Sequence, residues 1–79
     1  MKITILYFAQ LAELANKSEE SRDVSDSSLR VLYTELKKAY NFPQEFAQLQ
    51  VAVNHQLSAH DTKLRDDDTV AFLPPMTGG

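Results

Sequence analysis

The chain has 79 residues, of which 43% are hydrophobic and 24% are charged, an ordinary composition for one small globular domain. Its net charge of −3 argues against nucleic-acid binding, because binding to phosphates needs a basic surface. The absence of cysteine excludes disulfides, thiol nucleophiles and thiolate metal ligands. The sequence also lacks a signal-peptide pattern and the apolar run of about 20 residues that a membrane helix requires, so we expect a cytoplasmic protein without membrane contact.

Three elements are predicted in the first part of the chain. Residues 3–8 are rich in β-branched and aromatic side chains, and both alternating faces are partly apolar, as in a central strand. Residues 10–16 contain good helix formers and predict a helix of one or two turns. The polar residues 17–24 predict an edge strand, because charged side chains discourage unwanted pairing.

The longest predicted helix follows the Ser-Asp-Ser-Ser cluster at residues 25–28, which offers several candidate N-caps. Asn41 and Pro43 end the helix. Its apolar side chains fall at helical spacing along one stripe, at Leu29, Leu32, Tyr33, Leu36 and Tyr40.

Three strands are predicted after this helix. Residues 49–53 form the first, and residues 54–56 turn into a short strand around Leu57. Residues 69–73 form the last strand, which the two prolines at positions 74–75 stop because proline cannot donate a ladder hydrogen bond.

The element order β-β-α-β-β-β with one long helix predicts an α+β domain. A single helix covers one sheet face, which fits a β-grasp: a mixed sheet packed on one main helix, with its first and last strands parallel in the middle. We predict this domain at residues 1–73, followed by an extended, flexible C-terminal tail at residues 74–79. The predicted core consists of Ile3, Ile5, Tyr7, Val24, Leu29, Leu32, Leu36, Val51, Val53, Val70 and Phe72.

Few side chains of the sequence point to chemistry. His55 and His60 lack the convergent partners of a metal site, so we expect exposed turn residues. The acidic run at residues 66–68 lacks the spacing of a calcium loop and predicts a solvated turn, whose charge could help to dock a basic partner. The sequence has no Gly-rich phosphate loop. By itself the chain therefore offers no catalytic site, metal site or cofactor site.

The tail is the part of the sequence that indicates a function. The chain's two glycines are Gly78 and Gly79, although an unconstrained chain end would also accept them. The prolines stop strand pairing, so residues 74–79 can reach up to about 20 Å from the sheet. Because glycine has no side chain, the terminal carboxylate could pass through a narrow channel to an ATP-dependent acyl-activating enzyme.

An apolar patch is predicted beside the base of this tail. In a parallel central strand pair, Phe8 and Leu73 end their strands at the same edge, on the face away from the helix, and Leu57 lies near them. An uncovered patch of this kind is typical of a protein-docking surface. The alternative is a loop that folds over these side chains.

Four stretches of the sequence match a known family: Leu-Tyr-Phe-Ala-Gln at residues 6–10, Glu-Leu at 13–14, Ala-Val-Asn at 52–54, and Asp-Thr-Val-Ala-Phe-Leu-Pro-Pro-Met-Thr-Gly-Gly at 68–79. Over its whole length the chain resembles the small, sulfur-carrier subunits of molybdopterin synthase, a ubiquitin-like sulfur-carrier family. The Pro-Pro-x-x-Gly-Gly end is specific, because ubiquitin and the thiamine sulfur carrier share the fold and the Gly-Gly but generally lack the Pro-Pro.

The resemblance implies a non-catalytic sulfur-donor subunit. A partner adenylyltransferase would use ATP to activate Gly79, and a sulfur donor would convert the acyl-adenylate to a thiocarboxylate. The tail would then enter the active site of the large catalytic subunit, where cyclic pyranopterin monophosphate (precursor Z) is converted to molybdopterin for the molybdenum cofactor. In the family, two small and two large subunits form a heterotetramer. The resemblance places Gly79 and Gly78 at the reactive end, and an interface with the partners at Phe8, Leu57, Leu73, Pro74, Pro75, Met76 and Thr77.

Three positions depart from the family pattern. Ala12 stands where arginine is common, so one polar contact to a partner is expected to be absent or relocated. Asp67 replaces a common turn glycine and Met76 a common valine, and neither changes the chemistry of Gly79. Two alternatives stay open: a sulfur carrier for another pathway such as thiamine synthesis, and a ubiquitin-like modifier joined to lysines through Gly79.

Overall fold

The computed structural model describes residues 1–75, so the predictions for residues 76–79, including the flexible end of the tail and Met76, Thr77, Gly78 and Gly79, lie outside the described residues. Within residues 1–75 the elements are β1 (Lys2–Tyr7), α1 (Ala9–Ala15), β2 (Glu19–Asp23), α2 (Leu29–Tyr40), a 3₁₀ turn (Phe46–Gln48), β3 (Gln50–Val53), β4 (Gln56–Ser58) and β5 (Thr69–Leu73). All predicted strands and helices are present, and β5 has the predicted ends. The 3₁₀ turn was not predicted.

The strands of residues 1–75 form one mixed five-stranded sheet in the order β2-β1-β5-β3-β4. β1 and β5 pair in parallel at its centre, with Ile5 opposite Val70, and the other neighbouring pairs are antiparallel. The charged strand β2 lies at one edge, as predicted. The topology confirms the β-grasp fold.

α2 covers one face of the sheet with its predicted apolar stripe. The Ser28 hydroxyl caps its start by accepting a hydrogen bond from the backbone N–H of Val31 at 3.2 Å. Asn41 ends it in the left-handed conformation, with φ at 58°. Within residues 1–75, neither helix has the length and apolar character needed to cross a membrane. The α2 side chains buried against the sheet are Leu29, Leu32, Tyr33 and Leu36.

The core contains most of the predicted residues, but the predictions that Val24 and Val53 belong to it are wrong. Both are only partly buried and pack against the core from outside, because Val24 lies just beyond the edge strand β2 and Val53 ends β3. Other buried residues come from α1 and from irregular segments, where no periodic pattern marks the inward positions. The unpredicted core residues of these parts are Leu11, Ala15, Phe42, Phe46, Leu49 and Leu64. Tyr33, which was predicted on the apolar stripe of α2 but not in the core, is also buried.

The acidic turn before β5 is only partly solvated. Asp66 and Asp67 are exposed as predicted, whereas Asp68 is only 8% exposed, so the prediction for Asp68 is wrong. Its carboxylate accepts hydrogen bonds from the Asn54 side-chain amide at 2.9 Å and from the backbone N–H of Arg65 at 2.8 Å. Asp68 therefore joins the turn after β3 to the start of β5, and burial is tolerated because its oxygens have donors.

Candidate functional site

A row of apolar side chains crosses the sheet on the face opposite α2. Strand pairing sets Leu6 beside Ala71, Ala71 beside Ala52, and Ala52 beside Leu57. Because successive side chains of a strand point to opposite faces, this row points away from the core. The register of the central strands therefore builds a continuous apolar strip on the uncovered face.

This row lies in an open groove with a cavity volume of about 270 Å³, which we call the sheet groove. Two of its large side chains are well exposed, Phe8 at 47% and Leu57 at 67%. His55, at the rim, is the one titratable side chain among the lining residues. The lining residues are Leu6, Phe8, Ala52, His55, Leu57, Thr69, Ala71 and Leu73.

A second groove, of about 700 Å³, lies at the sheet edge where β1 and β5 end, and we call it the exit groove. Phe8 and Leu73 line both grooves, so they mark the junction between them. Parallel pairing explains the junction, because Tyr7 and Phe72 are paired and the next residue of each strand leaves at the same edge. The lining residues of the exit groove are Phe8, Ala9, Gln48, Gln50, Leu73, Pro74 and Pro75.

The structure brings together the predicted apolar patch. Phe8, Leu57 and Leu73 line one groove, and the exposure of Phe8 and Leu57 shows that no loop of residues 1–75 folds over them. Pro74 and Pro75 lie at the adjoining exit groove. Sequence reasoning did not include Leu6, Ala52 and Ala71 in the patch, although strand alternation puts Leu6 on the face of Phe8 and Ala71 on the face of Leu73.

The backbone next to Phe8 is unusual. Among the described residues, the non-glycine residues with positive φ are Ala9, Asn16, Asn41, Asn54, His55 and Asp67. All except Ala9 are Asn, Asp or His, the residue types enriched in the left-handed region. At Ala9, with φ at 51°, this conformation costs about 1–2 kcal/mol.

The two histidines occupy exposed turns, as predicted. Asn54 and His55 form the two-residue turn between β3 and β4, both with positive φ, as in a type I′ hairpin. The Nε2 atom of His60 lies 2.8 Å from the carbonyl oxygen of Leu49, and its ring contacts Phe46 edge-on. No group of three or more His, Asp or Glu side chains within residues 1–75 could hold a metal ion.

A polar cluster lies away from the grooves, where β1, β2 and the end of α2 meet. Glu20 accepts hydrogen bonds from the phenols of Tyr7 and Tyr40, the latter at 2.7 Å, and Arg22 Nε lies 3.6 Å from its carboxylate. Burial opposes ionisation of Glu20, but the two phenols and the nearby cations Lys17 and Arg22 hold its pKa below the ordinary value. Burial, together with the Glu20 carboxylate, raises the pKa of Tyr7. The cluster therefore pairs neutral phenols with an ionised carboxylate, an arrangement suited to joining elements.

A family model and two known proteins match this chain over nearly its whole length. The model of the ThiS family matches residues 5–79. A protein from Escherichia coli named molybdopterin synthase sulfur carrier subunit is 36% identical over 80 residues, covering 98% of this chain and 99% of its own. A protein of the same name from Mycobacterium tuberculosis is 30% identical over 82 residues, covering 100% of this chain and 99% of its own.

A solved structure shows the likeness of fold. The crystal structure of SAMP1 from Haloferax volcanii matches the chain with a TM-score of 0.80 at 24% identity, covering 100% of both chains. The ubiquitin-like β-grasp topology and the family match thus agree with each other. On this evidence the chain belongs to the ThiS family.

Proposed function

We propose that this chain is the sulfur carrier subunit of a molybdopterin synthase. The observation that carries the proposal is its similarity, over nearly the whole length of both chains, to proteins named as such subunits. The structure supports it with two apolar grooves lined by residues of β5. In the sequence, three residues separate Pro75 of the exit groove from Gly79. The family match also includes Gly78 and Gly79.

In the proposed reaction the carboxyl group of Gly79 is the carrier. Its oxygen attacks the α-phosphorus of ATP on a partner adenylyltransferase and displaces pyrophosphate. Hydrosulfide from the sulfur donor then attacks the acyl carbon, AMP leaves, and loss of the proton on sulfur gives the thiocarboxylate. The sequence has no cysteine, so a side-chain thiol is not available as the carrying group. The chain itself binds no cofactor in this scheme, since ATP is used by the activating enzyme.

The proposed partner for the sheet groove is the large catalytic subunit, with two small and two large subunits in a heterotetramer. Docking there would bury Phe8 and Leu57, which are exposed in the free chain, and removal of apolar surface from water favours association. In this proposal Met76 and Thr77 contact the large subunit, and Gly78 and Gly79 after them enter its active site. The sulfur would there enter the dithiolene made from cyclic pyranopterin monophosphate. We assign the reaction to the cytoplasm.

The intact mass of the protein tests this proposal. The chain is incubated with the adenylyltransferase, ATP and a sulfur donor, and the expected product is heavier by the difference between one sulfur and one oxygen atom. Fragmentation should place the change on Gly79. An unchanged mass, with an activating enzyme that charges its own known carrier in parallel, would contradict the proposal.

A second measurement separates the proposal from the alternatives. The charged chain should produce molybdopterin when it is mixed with the large subunit and cyclic pyranopterin monophosphate. Sulfur delivery to a thiazole synthase alone would instead indicate a thiamine carrier. Conjugates to lysine side chains that survive denaturing gels, without a pterin product, would indicate a protein modifier.

A further inference from the structure

His55 places a side chain that can change its charge near neutral pH in the lining of the sheet groove. The other lining residues are the neutral Thr69 and apolar side chains. The imidazole of histidine gains a proton near pH 6.5. The lining residues are therefore all uncharged above this pH, and acid adds one positive charge at the rim.

The turn that contains His55 fixes its position at this rim. Asn54, the residue before it, donates from its backbone N–H to the carbonyl oxygen of Thr69 at 2.7 Å. The side-chain oxygen of Asn54 accepts from the backbone N–H of Thr69 at 2.9 Å, so the turn is tied to the start of β5. Leu57, two residues after His55, lines the same groove and is 67% exposed. A partner that fills the groove and covers Leu57 therefore also meets the His55 ring.

No acidic side chain among the lining residues can balance a charge on His55. The strands β3, β4 and β5 around it carry no ionisable side chain. In the turn before β5, the carboxylate of Asp68 already accepts hydrogen bonds from Asn54 and from the backbone N–H of Arg65. The charged side chains of this turn and of the adjoining start of β1 are Lys2, Arg65, Asp66, Asp67 and Asp68, and none of them lines the groove.

We propose that the charge of His55 controls docking at the sheet groove, so that the large subunit binds the chain with a neutral imidazole and is disfavoured by a protonated one. This inference rests on the proposed function, which supplies the partner. Docking that buries Phe8 and Leu57 also takes the His55 ring out of water. Transfer of an unpaired charge from water to an apolar surface is costly, so the protonated ring must release its proton before it is covered. Acid therefore opposes docking, and docking in turn opposes protonation.

Calorimetric titration with the large subunit at pH 7.5 and pH 5.5 tests the proposal. About nine-tenths of an imidazole that titrates near pH 6.5 is protonated at pH 5.5, so affinity should be about tenfold lower there. His55→Asn should remove most of this difference, because asparagine is neutral and accepts the positive φ of this position. The matched control is His60→Gln, which removes the other histidine while its amide can still donate to the Leu49 carbonyl. The control should keep the full pH dependence.

Proton NMR of the two imidazole rings tests the same inference from the side of protonation. On docking, the titration midpoint of His55 should move to lower pH, while the midpoint of His60 stays in place. An unchanged midpoint of His55, or a pH dependence of affinity that survives in His55→Asn, would overturn the inference. A gain of affinity in acid that requires His55 would also overturn it. A large subunit that fails to bind the unaltered chain at neutral pH would refute the proposed function, and this inference with it.

Discussion

Phe8 has a backbone role and a side-chain role that a substitution can separate. Its extended backbone is the N-cap of α1, with φ at −129° and ψ at 153°, and its carbonyl accepts the first hydrogen bonds of that helix. Its ring is half exposed and lines both grooves. A small polar residue could keep the backbone role, and even improve it, while removing the apolar surface.

The substitution Phe8→Asp should therefore weaken docking far more than folding. Aspartate is a favourable N-cap residue, so the free energy of unfolding should stay within about 1 kcal/mol of the unaltered value. Burial of an unpaired carboxylate against an apolar partner is costly, and affinity for the large subunit should fall at least about tenfold. Urea unfolding and calorimetric titration measure the two quantities on the same preparation.

Val31→Asp is the matched control for this substitution. Val31 is 40% exposed, close to the value for Phe8, and it lies in the first turn of α2, near a helix start as Phe8 is, but it lines neither groove. Its substitution should leave affinity unchanged. A loss of several kcal/mol of stability on Phe8→Asp would identify Phe8 as a core residue and remove the basis of the docking surface.

At the scale of elements, Glu20 connects three parts of the fold. It lies on β2 and accepts hydrogen bonds from Tyr7 on β1 and Tyr40 at the end of α2. The rings of Tyr7 and Tyr40 also pack edge to face, with centroids 5.9 Å apart. An edge strand with few apolar side chains is in this way held to the helix by polar contacts.

The lowered pKa of Glu20 predicts how stability depends on pH. In the unfolded chain the carboxylate takes up its proton near pH 4.5, and in the folded chain only at lower pH. The contribution of the Glu20 carboxylate to the free energy of unfolding is thus complete above pH 4.5. It is lost as the pH falls through the pKa of Glu20 in the folded chain, because the unfolded state then binds more protons. Glu20→Gln should make this acid decline shallower, and should cost about 1 kcal/mol at neutral pH.

Glu19→Gln provides the comparison for Glu20→Gln, because it removes the same charge from an exposed position of the same strand. Urea unfolding at a series of pH values between neutral and strongly acidic measures both variants. Identical slopes for Glu19→Gln and Glu20→Gln would contradict the role assigned to the polar cluster.

The strands and helices could be predicted because their apolar side chains recur at a regular spacing, every second residue in a strand and every three or four residues in a helix. The alternation in β1 and the helical stripe from Leu29 to Leu36 each mark a buried face, and the order of elements leaves few topologies. Phe42, Phe46 and Leu49 lie in an irregular segment after α2, where burial depends on distant contacts and no local pattern exists. Asp68 was missed for a related reason, since one of its two donors is the side chain of Asn54, in the distant turn after β3.

Part of the candidate site could likewise be predicted from the sequence, and part of it could not. The exposed face of the sheet could be deduced from the alternation of side chains along the two central strands, which located Phe8 and Leu73, and Leu57 was expected near them. The strain at Ala9 could not, because positive φ is expected for glycine or asparagine and the sequence has alanine there. The chemistry assigned to Gly79 came from resemblance to a family, since no side-chain pattern of the sequence indicates sulfur transfer.

At the scale of the whole molecule, stability and the proposed chemistry belong to different parts of the chain. The buried core extends from Ile3 to Phe72, whereas the proposed reacting group is the carboxyl group of Gly79. In the proposed function the body contributes a docking surface, and the described residues Pro74 and Pro75 lead from β5 towards the last four residues. Changes at the reacting end should accordingly alter sulfur transfer without altering the unfolding transition.

Deletion of Gly79 should abolish sulfur loading while the urea midpoint stays unchanged. The deletion leaves a carboxyl group on Gly78, but moves it back by about 3.5 Å, the length of one extended residue. Reacting atoms must approach within about 3–3.5 Å, so this displacement keeps the carboxylate from the α-phosphorus of ATP. Gly79→Ala is the matched control, since it keeps the length and adds one methyl group, and it should load more slowly than the unaltered chain. Intact mass measures the loading, and a deletion variant that still gained sulfur would show that the carrying atom lies elsewhere.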